Sequence, residues 1–386
     1  MQFEQAYDGW KQKRLTQEDA ACLLNVCSRT FRRYIDRFEE DGMDGLIDKR
    51  LGQVSGHRAP VDEVMALEAL YRAYYDSWSI THFHERYQDP HHGTRSYTWV
   101  KQRLQAAGLV KTGKRRGPHR QRRERKPLPG MMIHQDASRH AWVPGQMWDL
   151  IVTLDDATSE IYSAFFVEEE GTWSSLKGVR ETLEAKGLFS SFYSDRGSHY
   201  WHTPEAGGKV DKTNPTQFGR AMQELGIGMI AAYSPQARGR SERMFGTLQG
   251  RLPNELALHN ITNIASANGF LKEDFLPDFN ARFRVDAAEA GSAFVPLLDA
   301  RLDDILCLKT ERIVNNDNCV SYSTKRLQIP KTSDRCHYAK AEVKVHEYQD
   351  ERVAIFHGPR LLGFYDQHGH LEPKEISAES KQAANG

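Results

Sequence analysis

MMIHQDASRHAWVPGQMWDLIVTLDDATSEIYSAFFV, residues 131–167, carries three strand-like runs in close succession. Residues 131–143, 148–154 and 161–167 are rich in β-branched and aromatic side chains, and turn chemistry at 155–160 separates the last two. Downstream the period changes. Residues 174–186 read as a helix, 192–194 as a short strand ending at Asp195, 217–225 as a helix and 227–230 as a strand. A further helix follows. The order is βββαβαβα, which predicts a mixed sheet with helices on its faces, an α/β core over residues 129–290. Residues 199–216 are polar and rich in Gly and Pro, and read as an insertion loop.

The last helix of that core lies in YSPQARGRSERMFGTLQGRL, residues 233–252. Pro235 and Gly239 mark a turn, after which Phe245, Leu248, Leu252 and Leu256 recur at helical spacing. Glu242 sits in the first turn among Arg238, Arg240, Arg243 and Arg251. Such a carboxylate is either a partner in an ion-pair network or a metal ligand beside a phosphate-holding surface.

Residues 1–55 read as a helix-turn-helix. Thr16 caps a helix with Asp19 three residues on, and Ala20, Leu23 and Leu24 give it an apolar side. Asn25 begins the turn and Ser28 caps the second helix, whose core face is Phe31, Ile35 and Phe38. Arg29, Arg32 and Arg33 fall off that face and can reach a DNA groove. Residues 56–110 form a second helical, helix-turn-helix-like unit with a stripe of Val64, Leu67, Tyr71 and Tyr74. It includes a helix from Ser96, ended by Gly108. Residues 111–128 are a basic linker, with Lys114, Arg115, Arg116, Arg122 and Arg123 placed to neutralise phosphates. Beyond the core, short β-like runs between 312 and 364 predict a small β-barrel over 300–368, followed by a polar tail at 369–386.

The net charge of zero conceals an asymmetry. Residues 1–126 hold 24 Lys+Arg against 17 Asp+Glu, and the remainder carries the opposite imbalance, so a polyanion partner is expected at the front. No apolar run is long enough for a membrane span and no apolar leader opens the chain, which predicts a cytoplasmic protein with no membrane partner. The five cysteines form no CxxC pair, so reduced buried thiols are expected rather than zinc. His82, His84, His91 and His92 cluster without a cysteine nearby.

Three acids stand out by position: Asp136 in the first strand, Asp195 at the end of the fourth and Glu242 on the late helix. In a sheet of the RNase H type the first and fourth strands are neighbours and the helix crosses beside them, so the three converge. Hard carboxylate oxygens suit Mg²⁺, and a pair of ions about 3.5–4 Å apart can clamp both oxygens of a phosphoryl transfer. The rival acids Asp149, Asp155 and Asp156 are weaker candidates. Asp155 and Asp156 fall in a turn, where Asp is common, although Asp156 is placed to support a ligand. His134 shares the strand face of Asp136, to orient a carboxylate or to pack. His199 and His202 read as loop residues.

HQDAS at 134–138, SDRGS at 194–198 and SPQARGRSER at 234–243 together resemble the DDE transposases of bacterial insertion sequences, within the retroviral integrase superfamily. The wording of the third motif and the long loop are most similar to the ISNCY-like group. The resemblance covers nearly the whole chain and implies an RNase H-like catalytic core. It implies that Asp136, Asp195 and Glu242 are the catalytic, metal-holding acids, with Mg²⁺ or Mn²⁺ as cofactor. Gln236 and Gly239 match the supporting residues of the third motif, and His134 would support the first. Arg238, Arg240 and Arg243 would hold phosphates. The partners implied are double-stranded DNA, both terminal repeats and target, with a homo-oligomer assembled on it in a bacterial, nucleoid-associated setting. The interval between Asp195 and Glu242 is longer than is usual in the superfamily, and the 199–216 loop accounts for the excess. The zinc module of retroviral integrases is absent. Two rivals stand beside this reading: a non-catalytic DNA-binding regulator derived from a transposase, and a stand-alone nuclease of the RNase H type.

Overall fold

The structure is a computed structural model and describes residues 2–48, 58–113, 124–205, 208–233, 239–298, 301–331 and 335–372. The chain forms two compact units. One contains residues 1–76 and 98–111, the other residues 77–97 and 112–386.

The first unit opens with α1 (Gln2–Lys11), α2 (Gln17–Leu23) and α3 (Ser28–Asp41). The expected capping box is present: the Asp19 amide donates to Thr16 Oγ1, and the Thr16 amide to Asp19 Oδ2, both at 3.1 Å. Asn25 takes a positive φ of 53° in the turn, a conformation that asparagine tolerates better than most residues. Cys27, not Ser28, is the N-cap of α3, and Ser28 is already its first helical residue. Phe31 and Ile35 pack on Ala6, Tyr7, Ala20 and Ala21, with Phe38 and Leu24 at the margin. Leu23 is exposed, because Ala21 takes the inward position. The aromatic side of α1 had no sequence reading. It covers α3 through Phe3 and Tyr7, with Tyr7 and Phe38 rings 5.0 Å apart. In α4 (Val61–Tyr74), Leu67 and Tyr71 are buried but Tyr74 is exposed. In α6 (Tyr97–Ala106), Val100 and Leu104 are fully buried, and Gly108 at φ 69° ends the helix.

The second unit begins with the remaining helix of that region, α5 (Ile80–Gln88), so residues 56–110 are divided between the units. Its centre is a five-stranded sheet of β1 (Ile133–Val143), β2 (Gln146–Asp155), β3 (Ile161–Val167), β4 (Ser191–Ser194) and β5 (Gly228–Ala231). The order is β3-β2-β1-β4-β5. The first three strands pair antiparallel, and β4 pairs parallel with both β1 and β5. The mixed sheet and the adjacency of β1 and β4 are as the sequence pattern requires. One face packs Ile133 and Phe192 against Leu176, Val179 and Leu183 of α7 (Thr172–Lys186) and Phe218 and Met222 of α8 (Gln217–Glu224). The other packs Leu150, Val152, Leu154 and Phe166 against α9 (Gly239–Gln249), α10 (Leu252–Leu258), α11 (Ile264–Phe270) and α12 (Leu276–Phe283). Both sides of β2 are buried, including the two polar residues inside its apolar run, Asp149 and Thr153.

Phe245, Leu248, Leu252 and Leu256 are all buried, but they belong to two helices rather than one. Gly250 and Pro253 weaken the helix at that point. After α13 (Leu302–Ile305) come β6 (Leu308–Ile313), β7 (Cys319–Tyr322), β8 (Lys325–Gln328), β9 (Glu342–Glu347), β10 (Val353–His357) and β11 (Arg360–Tyr365). They form a four-stranded sheet, β11-β10-β9-β6, and a β7-β8 hairpin. Val320 and Leu327 of the hairpin share one core with Val343, Val345, Ile355 and Leu362. Of the cysteines, Cys307 and Cys319 are buried as expected, whereas Cys22, Cys27 and Cys336 are exposed. Among the described residues no helix is long and apolar enough to cross a membrane.

Candidate functional site

Alternation along β1 sorts its side chains onto two faces. Gln135 faces α7: its Nε2 donates to Thr153 Oγ1 at 2.8 Å and to the Ser175 carbonyl at 3.2 Å, and its Oε1 accepts from the Tyr200 hydroxyl at 2.8 Å. His134, Asp136 and Ser138 face the other way. Ser138 Oγ accepts from Gln249 Nε2 of α9 at 2.9 Å, and Asp136 stands opposite Val152 of the α9-side core. On β4, Tyr193 is registered beside His134, their rings 4.7 Å apart. The pairing ends there; Asp136 lies two residues further along β1, and Asp195 two residues past Tyr193, just beyond β4. Asp136 is buried and Asp195, just past the end of β4, is half-buried. The Ala137 amide donates to Asp136 Oδ1 at 3.0 Å, and the Gly197 amide to Asp195 Oδ1 at 2.9 Å.

Helix α9 is pinned along β1 at both ends, by Arg240 to Asp156 and by Gln249 to Ser138. Glu242 is in the first turn of α9. It lies about 100° round the helix from buried Ser241 and is exposed. The site thus has Asp136 on β1, Asp195 just past the end of the neighbouring β4, and Glu242 in the first turn of α9. Among the described residues, no three His, Cys, Asp or Glu side chains stand close enough together to hold a metal ion. The histidine cluster is no exception. His82 is a buried partner of Glu255 at 2.6 Å, and His84 Nε2 lies 2.9 Å from the Arg95 carbonyl.

The two turn aspartates are more than turn residues. Both are fully buried. Asp155 accepts from the Gly130 amide at 2.8 Å and the Thr158 amide at 2.9 Å, and burial pushes its carboxyl pKa up. Asp156 accepts from His134 Nε2 and the Lys126 amide, each at 2.7 Å, and is ion-paired with Arg240. Burial alone would raise its pKa, but those hydrogen bonds and the charges beside it hold the carboxyl far below the usual carboxylate range. Arg125 closes the loop, donating to the carbonyls of Asp156 and Ala157 at 2.9 and 3.1 Å. His134 therefore serves Asp156 directly. Arg240 turns inward to the same carboxylate, which corrects its reading as a phosphate contact: its side chain is only 10% exposed. Asp149 is occupied locally, accepting from the Glu170 amide at 2.7 Å.

Arg243 is exposed and its Nε donates to the Gly239 carbonyl one turn back, at 2.8 Å. Gly239 is the first residue of α9 and has open space where a Cβ would stand. Arg251 is not near Glu242. It is buried and paired with Glu85 of α5 at 2.6 Å. In the first unit Arg29, Arg32 and Arg33 are exposed on α3, off the Phe31–Ile35 face. Lys114, Arg115, Arg116, Arg122, Arg123, Gln236 and Arg238 lie outside the described residues. Sequence reasoning missed Glu170, whose carboxylate is 3.3 Å from His199 Nε2. A run of three glutamates at 168–170 gives no sign of which one turns inward.

Residues 5–59 match the family model described as a winged helix-turn helix. Over 348 residues the chain is 30% identical to y4bF of Sinorhizobium fredii, which is named as a transposase, covering 89% of this chain and 75% of the relative. The chain belongs to the transposases. This transposase is also 34% identical, over 269 residues, to the transposase for insertion sequence IS1202 of Streptococcus pneumoniae; that match covers 67% of its length and 57% of the relative's. Among solved structures it has a TM-score of 0.34 to the simian T-cell lymphotropic virus intasome in complex with PP2A regulatory subunit B56 gamma. Identity there is 14%, with 70% of this chain and 92% of that one covered. The HTLV-2 integrase catalytic core domain in complex with magnesium, in its trimeric form, gives a TM-score of 0.29 at 14% identity, over 37% of this chain and 82% of that one.

Proposed function

We propose that this transposase binds the terminal repeats of an insertion sequence of the ISNCY-like group, cleaves the element ends and joins their 3′-hydroxyls to target DNA. The observation that supports the reading is the parallel pairing of β1 with β4, which makes neighbours of the strand carrying Asp136 and the strand that ends just before Asp195. All three acids are hard oxygen donors, the set Mg²⁺ prefers, and one of them, Asp136, is held on rigid strand backbone. Asp136 and Asp195 would hold the metal jointly, and Glu242 would complete the set from the exposed flank of α9. Mg²⁺ or Mn²⁺ bound there supplies charge stabilisation to the phosphoryl oxygens. The chain's own residues supply the rest. The Asp156–Arg240 pair holds α9 in place, Arg243 offers an outward charge at its start, and Arg29, Arg32 and Arg33 offer base and phosphate contacts from α3. The two C-terminal sheets with their common core are read as one small barrel. Assembly as a homo-oligomer on two DNA ends completes the proposal.

The test uses the full chain, a linear duplex carrying the repeats that bracket its gene, and a target plasmid. Nicking at the repeat ends and joined products are expected with Mg²⁺ or Mn²⁺ and much less with Ca²⁺, whose looser coordination spoils the two-ion geometry. Asp136→Asn, Asp195→Asn and Glu242→Gln should each abolish both products while keeping the melting temperature. Binding without nicking in either active ion would favour a regulator, and nicking without joining would favour a nuclease.

A further inference from the structure

The turn after β4 holds a second arrangement that the acids alone do not explain. Residues 195–200 leave the strand and fold back at once: the amides of Tyr200 and Trp201 both donate to the Gly197 carbonyl, at 3.0 and 2.9 Å. Trp201 Nε1 reaches back to Ser194 Oγ at 3.0 Å. Inside this turn Asp195 and His199 converge on one point. A methyl group placed on Gly197 would lie 3.1 Å from Asp195 Oδ1 and 3.0 Å from His199 Cε1. The His199 ring lies tilted against Tyr200, centroids 4.0 Å apart, and Tyr200 is fixed through its hydroxyl to Gln135 on β1. On the far side of His199 is Glu170, its Oε1 3.3 Å from Nε2, off-line for a hydrogen bond. Nε2 is buried and has no other hydrogen-bond partner. Glu170 is itself held by its amide on Asp149 of β2, immediately before α7.

We propose that Glu170 and His199 form a clasp that positions the Asp195 carboxylate beside Asp136, making His199 a positioning residue for the metal-holding pair. The clasp runs from β2 through Asp149, Glu170 and His199 to the turn that carries Asp195. Asp195 lies just past the end of a four-residue strand, and its carboxylate accepts from the Gly197 amide in the same turn. Gly197 belongs to the same device: its φ is ordinary, and what requires glycine is the lack of room between Asp195 and His199. The proposal rests on the reading of Asp136 and Asp195 as metal-holding residues.

The test is Mn²⁺ binding to the full chain, followed by electron paramagnetic resonance of the free ion, with thermal melting in parallel. Asp136→Asn and Asp195→Asn should abolish binding. His199→Ala and Gly197→Ala should weaken it by roughly 10–100-fold, the usual effect of removing a group that orients a metal ligand. His199→Asn, which keeps a donor, should recover part of the loss. The Glu170→Gln, His199→Ala double variant should bind no worse than the weaker single variant. The sign separates the clasp from simple charge. His199→Ala leaves the Glu170 charge in place, so long-range attraction alone predicts unchanged or tighter binding. If His199→Ala and Glu170→Gln both bind Mn²⁺ like the parent while Asp136→Asn does not, the clasp is refuted and the metal-holding reading stands. If Asp136→Asn also binds like the parent, both fall. Should His199→Ala melt early, Glu170→Gln, which keeps size and shape, decides between them.

Discussion

Asp156→Asn tests whether a residue placed by turn chemistry is in fact the bolt of the core. Its carboxylate is fully buried and joins four segments: His134 on β1, Arg240 on α9, the Lys126 amide and its own turn. The substitution leaves the Arg240 guanidinium, 10% exposed, without its counter-charge. Breaking a buried pair in this way costs about 3–5 kcal/mol. At about 2–4 °C per kcal/mol for a domain of this size class, the second unit should melt on the order of 10 °C earlier. The pH dependence has a definite sign. The folded-state pKa is depressed, so the carboxylate's contribution is complete above its unfolded value, about 3.9, and fades as pH falls below that. Parent and variant should therefore differ fully above about pH 4 and converge only as pH falls well below that, toward the depressed folded-state pKa. Asp155→Asn is the contrast. Burial raises that carboxyl, so no stability is lost with its charge, and the cost is one misplaced donor, about 1–3 kcal/mol. Calorimetry of the full chain at pH 7 and at low pH reads both. An Asp156→Asn transition within about 2 °C of the parent's at neutral pH would refute the bolt, since the fall expected is about 10 °C.

Three further outcomes are expected. Replacing Arg29, Arg32 or Arg33 by Ala, at the one that contacts a base, should cost roughly 1–3 kcal/mol on terminal-repeat DNA and relax specificity at one position, measured by gel shift on a panel of single-base variants. Neutralising Arg115, Arg116, Arg122 and Arg123 should weaken binding to every sequence alike and flatten the salt dependence by about 0.9 in slope per lost phosphate contact; an unchanged slope would mean the linker is a solvated tether. Glu255→Ala should release His82 and Arg86 together and cost about 3–5 kcal/mol, seen as early protease cleavage around α5.

The strands were legible because β1, β2 and β3 obey alternation or continuous burial, and each is bounded by turn residues. The adjacency of β1 and β4 was legible because the order βββαβαβα implies it. What the sequence hid is carried by pairs far apart in the chain. His82 with Glu255 and Glu85 with Arg251 span more than 160 positions, so α5 looked like part of a continuous helical unit with α4 and α6. Arg240 read as outward-facing because helical periodicity tells which side is apolar, not which charged group beside that side finds a buried partner. Tyr74 and Leu23 failed for the converse reason: an apolar side chain at helical spacing is buried only if something covers it. Helix α1 went unread because its few apolar residues, Phe3, Tyr7 and Trp10, lie before any recognisable cap.

The path of the chain has a consequence for how the molecule can be taken apart. It passes from the first unit to the second at residue 77, back at 98 and out again after 111. No single cut separates them. A fragment ending at residue 110 would carry α5 away with Glu85, Arg86 and His82 stripped of Arg251, Arg282 and Glu255, and the remainder would keep the opposite halves of those ion pairs buried and unmatched. Both pieces would be prone to aggregate for a reason unrelated to DNA. A front unit that could be exchanged freely between relatives would need its ends together at one junction. Here the chain crosses between the units three times, so a graft that changes the second unit without residues 77–97 of its own lineage breaks the ion pairs of α5 inside that unit.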